Sequence, residues 1–157
     1  MSKVLESNEF PNQLQETLKV IYIMTDFKSI KTIAVEVREQ LKREFPKCKF
    51  SVTIQQYSGG QSLHVSLMSA PFEVFKITPE REYAQLNEYQ LRSDYEREQG
   101  ISNGTHLTEE GWSVLARVSE ISNKDNWNHS DSSIDYFDVN YYFHLNVGKW
   151  NKPFVKK

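Results

Sequence analysis

A glycine pair between two alternating runs constrains the fold of this sequence most. The segment KFSVTIQQ (49–56) alternates apolar and polar residues, and SLHVSLM (62–68) does the same. A period of two is typical of strands that bury one face. Tyr57, Ser58, Gly59 and Gly60 separate the runs, and a glycine pair favours primed turns with positive φ at both central residues. These residues predict a β-hairpin.

The sequence also predicts two amphipathic helices and two further strands. Apolar residues recur at helical spacing from residue 30 to 45, Ser29 is a suitable N-cap, and Pro46 ends the pattern. Thr108 is the expected N-cap of a second helix that runs to about Asn123. The segments YAQLNEYQL (83–91) and DVNYYFHLNV (138–147) are interpreted as strands, and 92–106 as a long polar loop.

The predicted fold is therefore α+β, a two-layer sandwich with a mainly antiparallel sheet of about four strands and two helices on one face. The expected organisation is an N-terminal arm over 1–27 and a single domain over 28–157. Within the arm, the short β-branched run LKVIYIM (18–24) predicts an extended segment.

Cysteine content and hydropathy indicate the compartment. Cys48 is the single cysteine, so the chain has neither an internal disulfide nor a multi-cysteine zinc site, and a reducing environment is favoured. The sequence contains no apolar run of about 18 residues, and its first residues lack the apolar core of a signal peptide. We expect a cytoplasmic protein with no membrane contact.

Charge is unevenly distributed along the chain, although the net charge is only −2. Residues 26–49 carry seven basic and four acidic residues, and residues 139–157 carry four lysines and no acid. If the first predicted helix and the tail converge, a basic face results, with Lys42, Arg43, Lys149 and Lys152 as candidate binding residues. Trp150 stands between two of these lysines and could stack on a nucleobase there.

A second candidate surface lies on the polar side of the predicted sheet. His64 and His144 lie on different strands with their side chains on the more polar face, and they could approach each other across the sheet. Asn87 and Tyr142 are candidates to line the same surface. An ordinary solvated sheet face remains the alternative interpretation.

Four other features suggest a functional site, and each has a simpler structural explanation. The Tyr57–Gly60 turn could cradle a phosphate, but phosphate loops lead into a helix and this turn leads into a strand. In the loop 125–138, Asp131, Asp135 and Asp138 are weak candidates for Mg²⁺ or Ca²⁺ ligands, and aspartates also cap turns. No cofactor is expected. The other aromatics near the last strand are interpreted as packing residues, and the lone cysteine as a small hydrophobe.

Several segments resemble the large polyvalent protein-associated domain 29 family. They are AVEVREQLKREFPKCKFSV (34–52), YSGGQSLHVS (57–66), YAQLNEYQL (83–91), LTEEGW (107–112) and SDSSIDYFDVNYYFHLNVGKWNKPF (130–154). The chain departs from the family pattern at Cys48, where glycine is common, and in its long arm. The resemblance implies a phage or mobile-element context and supplies no reaction, cofactor or catalytic residue.

The expected function is a non-enzymatic binding or accessory module, because the sequence contains no catalytic motif. Its partner is an unknown macromolecule, with a protein favoured over a nucleic acid. The alternative is a small metal-dependent enzyme that uses the aspartate-rich loop 125–138.

Overall fold

The hairpin predicted from the sequence forms the centre of the structure. A computed structural model describes residues 12–25, 27–76, 83–91 and 107–157. Strand β1 (Lys49–Tyr57) pairs antiparallel with β2 (Gly60–Ala70), and Val52 lies opposite Val65. Because the alternating apolar residues of both strands then share one face, the hairpin presents a continuous apolar surface to the helices.

The turn of this hairpin differs from the prediction. Tyr57 pairs with Gly60, so the two loop residues are Ser58 and Gly59, and only Gly59 has positive φ, at 88°. The expected positive φ at both glycines is therefore wrong, because Gly60 already belongs to the strand. A Cβ at Gly60 would lie 3.0 Å from the Cε2 atom of Tyr57, so a larger residue there requires the exposed Tyr57 ring to shift.

The part of the sheet that the structure describes contains five strands of mixed direction. Beyond the hairpin, β4 (Tyr142–Val147) runs parallel to β2, and the short β3 (Ala84–Leu86) runs antiparallel to β4. A two-residue strand, β5 (Val155–Lys156), pairs in parallel with the end of β2. The α+β class is confirmed. The sheet is mixed rather than mainly antiparallel because a long connection containing a helix separates β2 from β4.

Two capped helices pack against the sheet as predicted. Helix α2 (Ile30–Glu44) begins after Ser29, whose Oγ accepts a hydrogen bond from the Thr32 N–H at 3.2 Å. Helix α3 (Glu109–Asn123) begins after Thr108, whose Oγ accepts from the Gly111 N–H at 3.0 Å. Both helices share one core with the strands, formed by Ile30, Ile33, Ala34, Val37, Leu41, Val52, Leu63, Val65, Leu67, Leu115, Val118, Ile121, Leu145 and Val147 among others.

Two secondary-structure predictions are wrong. The run 18–24 is not extended but belongs to a helix, α1 (Asn12–Thr25), because Leu14, Leu18 and Ile21 continue a helical spacing that a seven-residue window misses. The predicted strand 83–91 is a strand only at Ala84–Leu86, and Glu88–Leu91 is a 3₁₀ turn.

The rest of the predicted arm (1–11 and 26) and the predicted loop 92–106 lie outside the described residues. Among the helices that the structure describes, none is long and apolar enough to cross a membrane.

Candidate functional site

Two histidines stack on the face of the sheet that points away from the helices. Because β2 and β4 run in parallel register, His64 lies directly beside His144. Their ring centroids are 4.5 Å apart, and the ring planes are inclined by only 13°. The expectation that these two residues approach each other across the sheet is confirmed.

The surroundings of His64 favour its neutral form. The Ser62 hydroxyl lies 2.9 Å from Nε2 of His64. Burial, and then the neighbouring His144, lower the pKa of His64 below its ordinary value. Protonating both rings would place two positive charges face to face. The stacked arrangement is therefore favourable at neutral pH and is destabilised at acidic pH.

A cleft of about 770 Å³ opens beside β4, the strand that carries His144. Its lining consists of residues 85–89, 91, 119, 123, 126–128, 139 and 141–146. Three of the candidates predicted from the sequence, Asn87, Tyr142 and His144, line this cleft, and His64 is connected to it through the stack. The volume lies within the range of about 300–1,000 Å³ that is usual for ligand sites.

The cleft exists because β3 is short. After Leu86, the Oδ1 atom of Asn87 accepts a hydrogen bond from the Gln90 N–H at 3.1 Å, and Oε1 of Gln90 accepts from the Asn87 N–H at 2.8 Å. This reciprocal pair is the capping-box arrangement that starts a helical turn. The chain therefore leaves β4 at Asn87 instead of continuing beside it.

Asparagine side chains build the opposite end of the cleft. The Oδ1 atom of Asn126 accepts from the N–H groups of Trp127, at 3.0 Å, and of Tyr141, at 3.2 Å. The Trp127 ring stacks on His129, with centroids 4.8 Å apart. Tyr141 is buried, and its hydroxyl donates to the Ser122 carbonyl at 2.5 Å. Burial raises the pKa of Tyr141, so this hydroxyl stays protonated and serves structure rather than acid–base chemistry.

The basic candidates lie apart from the cleft. Lys42 and Arg43 occupy the last turn of α2, and neither lines the cleft. Lys149 and Lys152 close a tight turn through two backbone hydrogen bonds, of 2.8 and 3.1 Å. This turn displays Trp150, which is 82% exposed and packs edge-on against Tyr83.

The tail and α2 approach the same end of the sheet. Ser69 of β2 pairs with Lys49 on one side and with Val155 of the tail on the other. Lys49 begins β1, a few residues after the end of α2. One tail lysine already has a partner, since Nζ of Lys156 lies 3.5 Å from the Glu73 carboxylate.

The carboxylates of the aspartate-rich loop are engaged in local structure. Asp131 accepts from the Ser133 N–H at 3.0 Å and from the Ser133 hydroxyl at 2.6 Å, and these bonds lower its pKa. Asp135 adopts a left-handed conformation in the turn, and Asp138 lies 3.7 Å from His129. Within the described ranges, no three histidine, cysteine, aspartate or glutamate side chains converge as metal ligands would.

Sequence reasoning named Asn87 but missed other asparagines that line the cleft. Asn123, Asn126 and Asn128 are among them. The run NKDNWN (123–128) surrounds an aromatic residue with amides, which is the signal that was available. It becomes a site only because the chain turns back, so that Asn128 bridges to Val139 and the Asn140 N–H donates to the Trp127 carbonyl.

Comparison with known families gives one result. A family model described as large polyvalent protein associated domain 29 matches residues 28–130, well over half of the chain. The match covers four of the five segments that resemble the family, and it ends at residue 130, the first residue of the C-terminal segment 130–154. Neither the search of curated proteins nor the search of solved structures found a match.

Proposed function

Because the chain belongs to the large polyvalent protein associated domain 29 family, we propose that it is a non-enzymatic binding module of phage or mobile-element type. Its partner is a protein, and the cleft beside β4 is the binding surface. The observation that carries this proposal is the lining of the cleft, which combines amide and aromatic side chains around a strand.

The chemistry of the lining favours binding over catalysis. Among the described residues that line the cleft, Glu88 supplies the one carboxylate and His144 the one imidazole, and neither lysine nor arginine occurs. A hydrolytic site needs a nucleophile beside a base, or two carboxylates in different environments. Amides and tyrosines instead provide hydrogen bonds and contact area without charge, as in many recognition surfaces.

The absence of cations from the described lining also favours a protein partner. A nucleic acid would bring phosphates, whose binding depends on lysine and arginine. The basic candidates Lys42, Arg43, Lys149 and Lys152 lie elsewhere, so they cannot neutralise a ligand held in the cleft.

A capture experiment with matched tyrosine variants tests the proposal. Immobilised wild-type chain, Tyr142→Ala and Tyr136→Ala are each exposed to an extract of the native host, and retained proteins are identified by mass spectrometry. Tyr142 is 43% exposed in the cleft, and Tyr136 is 51% exposed outside it. We expect a specific protein that wild type and Tyr136→Ala retain and that Tyr142→Ala loses. Equal retention by all three would refute the cleft as the binding surface.

A further inference from the structure

Among the described residues, the edge of β4 that faces the cleft has backbone partners at its two ends and none in its middle. At one end, β3 pairs with residues 145–147. At the other end, the Asn140 N–H donates to the Trp127 carbonyl at 3.0 Å, and Asn128 bridges to Val139. Between these contacts, β2 pairs with residues 142–144 on one side, and no described residue forms a strand beside them on the cleft side. With about 3.3 Å per residue, the open stretch accommodates a strand of only about three or four residues.

The cleft reaches the backbone of the strand rather than one of its faces. Every residue from Tyr141 to Asn146 lines the cleft. Successive side chains of a strand point to opposite faces of the sheet. A space that touches six consecutive residues must therefore lie at the strand edge, where the next strand of the sheet would run.

One residue of this edge presents both of its backbone hydrogen-bonding groups to the cleft. The Gly148 N–H donates to the Leu67 carbonyl of β2, at 2.9 Å, whereas the Tyr141 N–H donates to Asn126 on the opposite side. Backbone groups alternate in direction along a strand. The N–H and carbonyl of Phe143 therefore point into the cleft, and among the described residues no backbone partner meets them there.

We infer that an extended, uncharged peptide segment of the partner protein binds in the cleft by adding a short strand to β4. Its backbone exchanges hydrogen bonds with the Phe143 N–H and carbonyl, which is the β-augmentation mode of peptide recognition. Backbone N–H and carbonyl groups are strong hydrogen-bonding groups, so a pair directed into a cleft suits a ligand that carries an amide. This inference rests on the proposed function and specifies the partner's chemistry.

The two sides of the strand determine which side chains the segment carries. On the inner side, Phe143 and Leu145 present apolar surface, so apolar residues of the segment face them. On the outer side, Tyr142 and His144 present polar groups, so the alternate residues of the segment are polar and uncharged. Glu88 disfavours an acidic segment, and the described lining offers no carboxylate pair for a basic one.

A blocked pentapeptide tests the inference on the full chain. The probe is acetyl-Ser-Val-Thr-Val-Ser-amide, added at millimolar concentration to the ¹⁵N-labelled protein. We expect the Phe143 amide to shift in the NMR spectrum and its hydrogen exchange to slow at least tenfold. The same peptide with its three central nitrogens methylated cannot donate to β4 and should do neither. Replacing its central threonine and both valines by glutamate should also abolish the effect.

Other occupants give distinguishable results. If adenosine or maltotriose protects the Phe143 amide and the pentapeptide does not, the inference is wrong. Protection that appears only as the chain self-associates, measured by sedimentation, would likewise replace the peptide with a second copy. Replacing Phe143 by proline removes the N–H but threatens the fold, so exchange at the wild-type amide is the deciding measurement.

Failure of this inference can be separated from failure of the proposed function. If Tyr142→Ala still loses a host protein, but the peptides change neither the shift nor the hydrogen exchange of the Phe143 amide, the chain is a binding module that does not use strand addition. If Tyr142→Ala loses nothing and the amide is also unaffected, both proposals fall.

Discussion

The imidazole rings of His64 and His144 lie 4.5 Å apart in nearly parallel planes on the outer face of the sheet. Burial and the neighbouring ring lower the pKa of His64 in the folded protein. The unfolded chain therefore binds a proton at His64 at a pH where the folded chain does not. The stability that His64 contributes through this difference is fully present above about pH 6.5, and it is lost as the pH falls toward the folded-state pKa.

The first prediction follows from this difference in proton binding. In thermal unfolding, the melting temperature should fall between pH 7 and pH 5, and His144→Gln should reduce the part of that fall due to the stack. The matched control is His129→Gln, which removes a histidine that stacks on Trp127 instead. Equal acid sensitivity of the wild type and His144→Gln would show that the stack does not sense pH.

The second prediction concerns Gly59 in the turn of the hairpin. Gly59 has a φ of 88°, where a Cβ costs about 1–2 kcal/mol, so Gly59→Val should lower the free energy of unfolding by at least that amount. Gly59→Asn should cost less, because asparagine tolerates positive φ better than β-branched residues do. Ser58→Ala is the control and should be nearly neutral in urea titrations. A neutral Gly59→Val would contradict the turn geometry.

The third prediction is that Gly111→Ala destabilises the protein although alanine favours helices. A Cβ at Gly111 would lie 2.7 Å from the Val74 carbonyl oxygen and 3.0 Å from the Val74 Cα. Overpacking against backbone typically costs about 1–3 kcal/mol, more than the gain of about 1 kcal/mol in helix propensity. Ser113→Ala on the exposed side of α3 should instead be neutral or stabilising. If Gly111→Ala is instead more stable than the wild type, the backbone around Val74 moves away from the new Cβ at little cost in free energy.

Local patterns predicted the hairpin and the two capped helices because each depends on residues close in sequence. Ser29 and Thr108 are caps that can be recognised without tertiary information. The His64–His144 pair could be predicted only as a possibility, because its register depends on strands far apart in the chain. The mixed sheet was missed for the same reason, since nothing local specifies that β4 runs parallel to β2.

The cleft was the hardest feature to predict, although part of its cause is visible in the sequence. The Asn87-x-x-Gln90 spacing is that of a capping box, but the alternating residues around it favoured a continuous strand. Here the side-chain hydrogen bonds of the turn prevail over the strand pattern. The contact between Asn126 and Tyr141 joins the loop after α3 to the residue that precedes β4, and it has no local signature.

The fourth prediction concerns the aspartate-rich loop, whose carboxylates are expected to organise turns rather than bind a cation. Millimolar Mg²⁺ or Ca²⁺ should leave the melting temperature nearly unchanged, because selective binding to the folded state would raise it. Asp131→Ala should lower the melting temperature equally with and without the cation, since it removes both bonds to Ser133. A saturable rise of several degrees that disappears in Asp131→Ala would restore the metal-dependent enzyme as the better hypothesis.

The last prediction separates the basic residues from the cleft. Lys149, Trp150 and Lys152 stand on a turn outside the cleft, so a nucleic acid attracted to them need not enter the cleft that Tyr142 lines. Such binding would come from counterion release, which weakens steeply with salt. We therefore expect labelled single-stranded DNA and RNA to show no saturable anisotropy change at about 200 mM salt. At about 50 mM salt, the double variant Lys149→Glu, Lys152→Glu should bind more weakly than the wild type, whereas Tyr142→Ala should match it. Saturable binding at the higher salt that Tyr142→Ala abolishes would place the nucleic acid in the cleft and overturn the assignment of a protein partner.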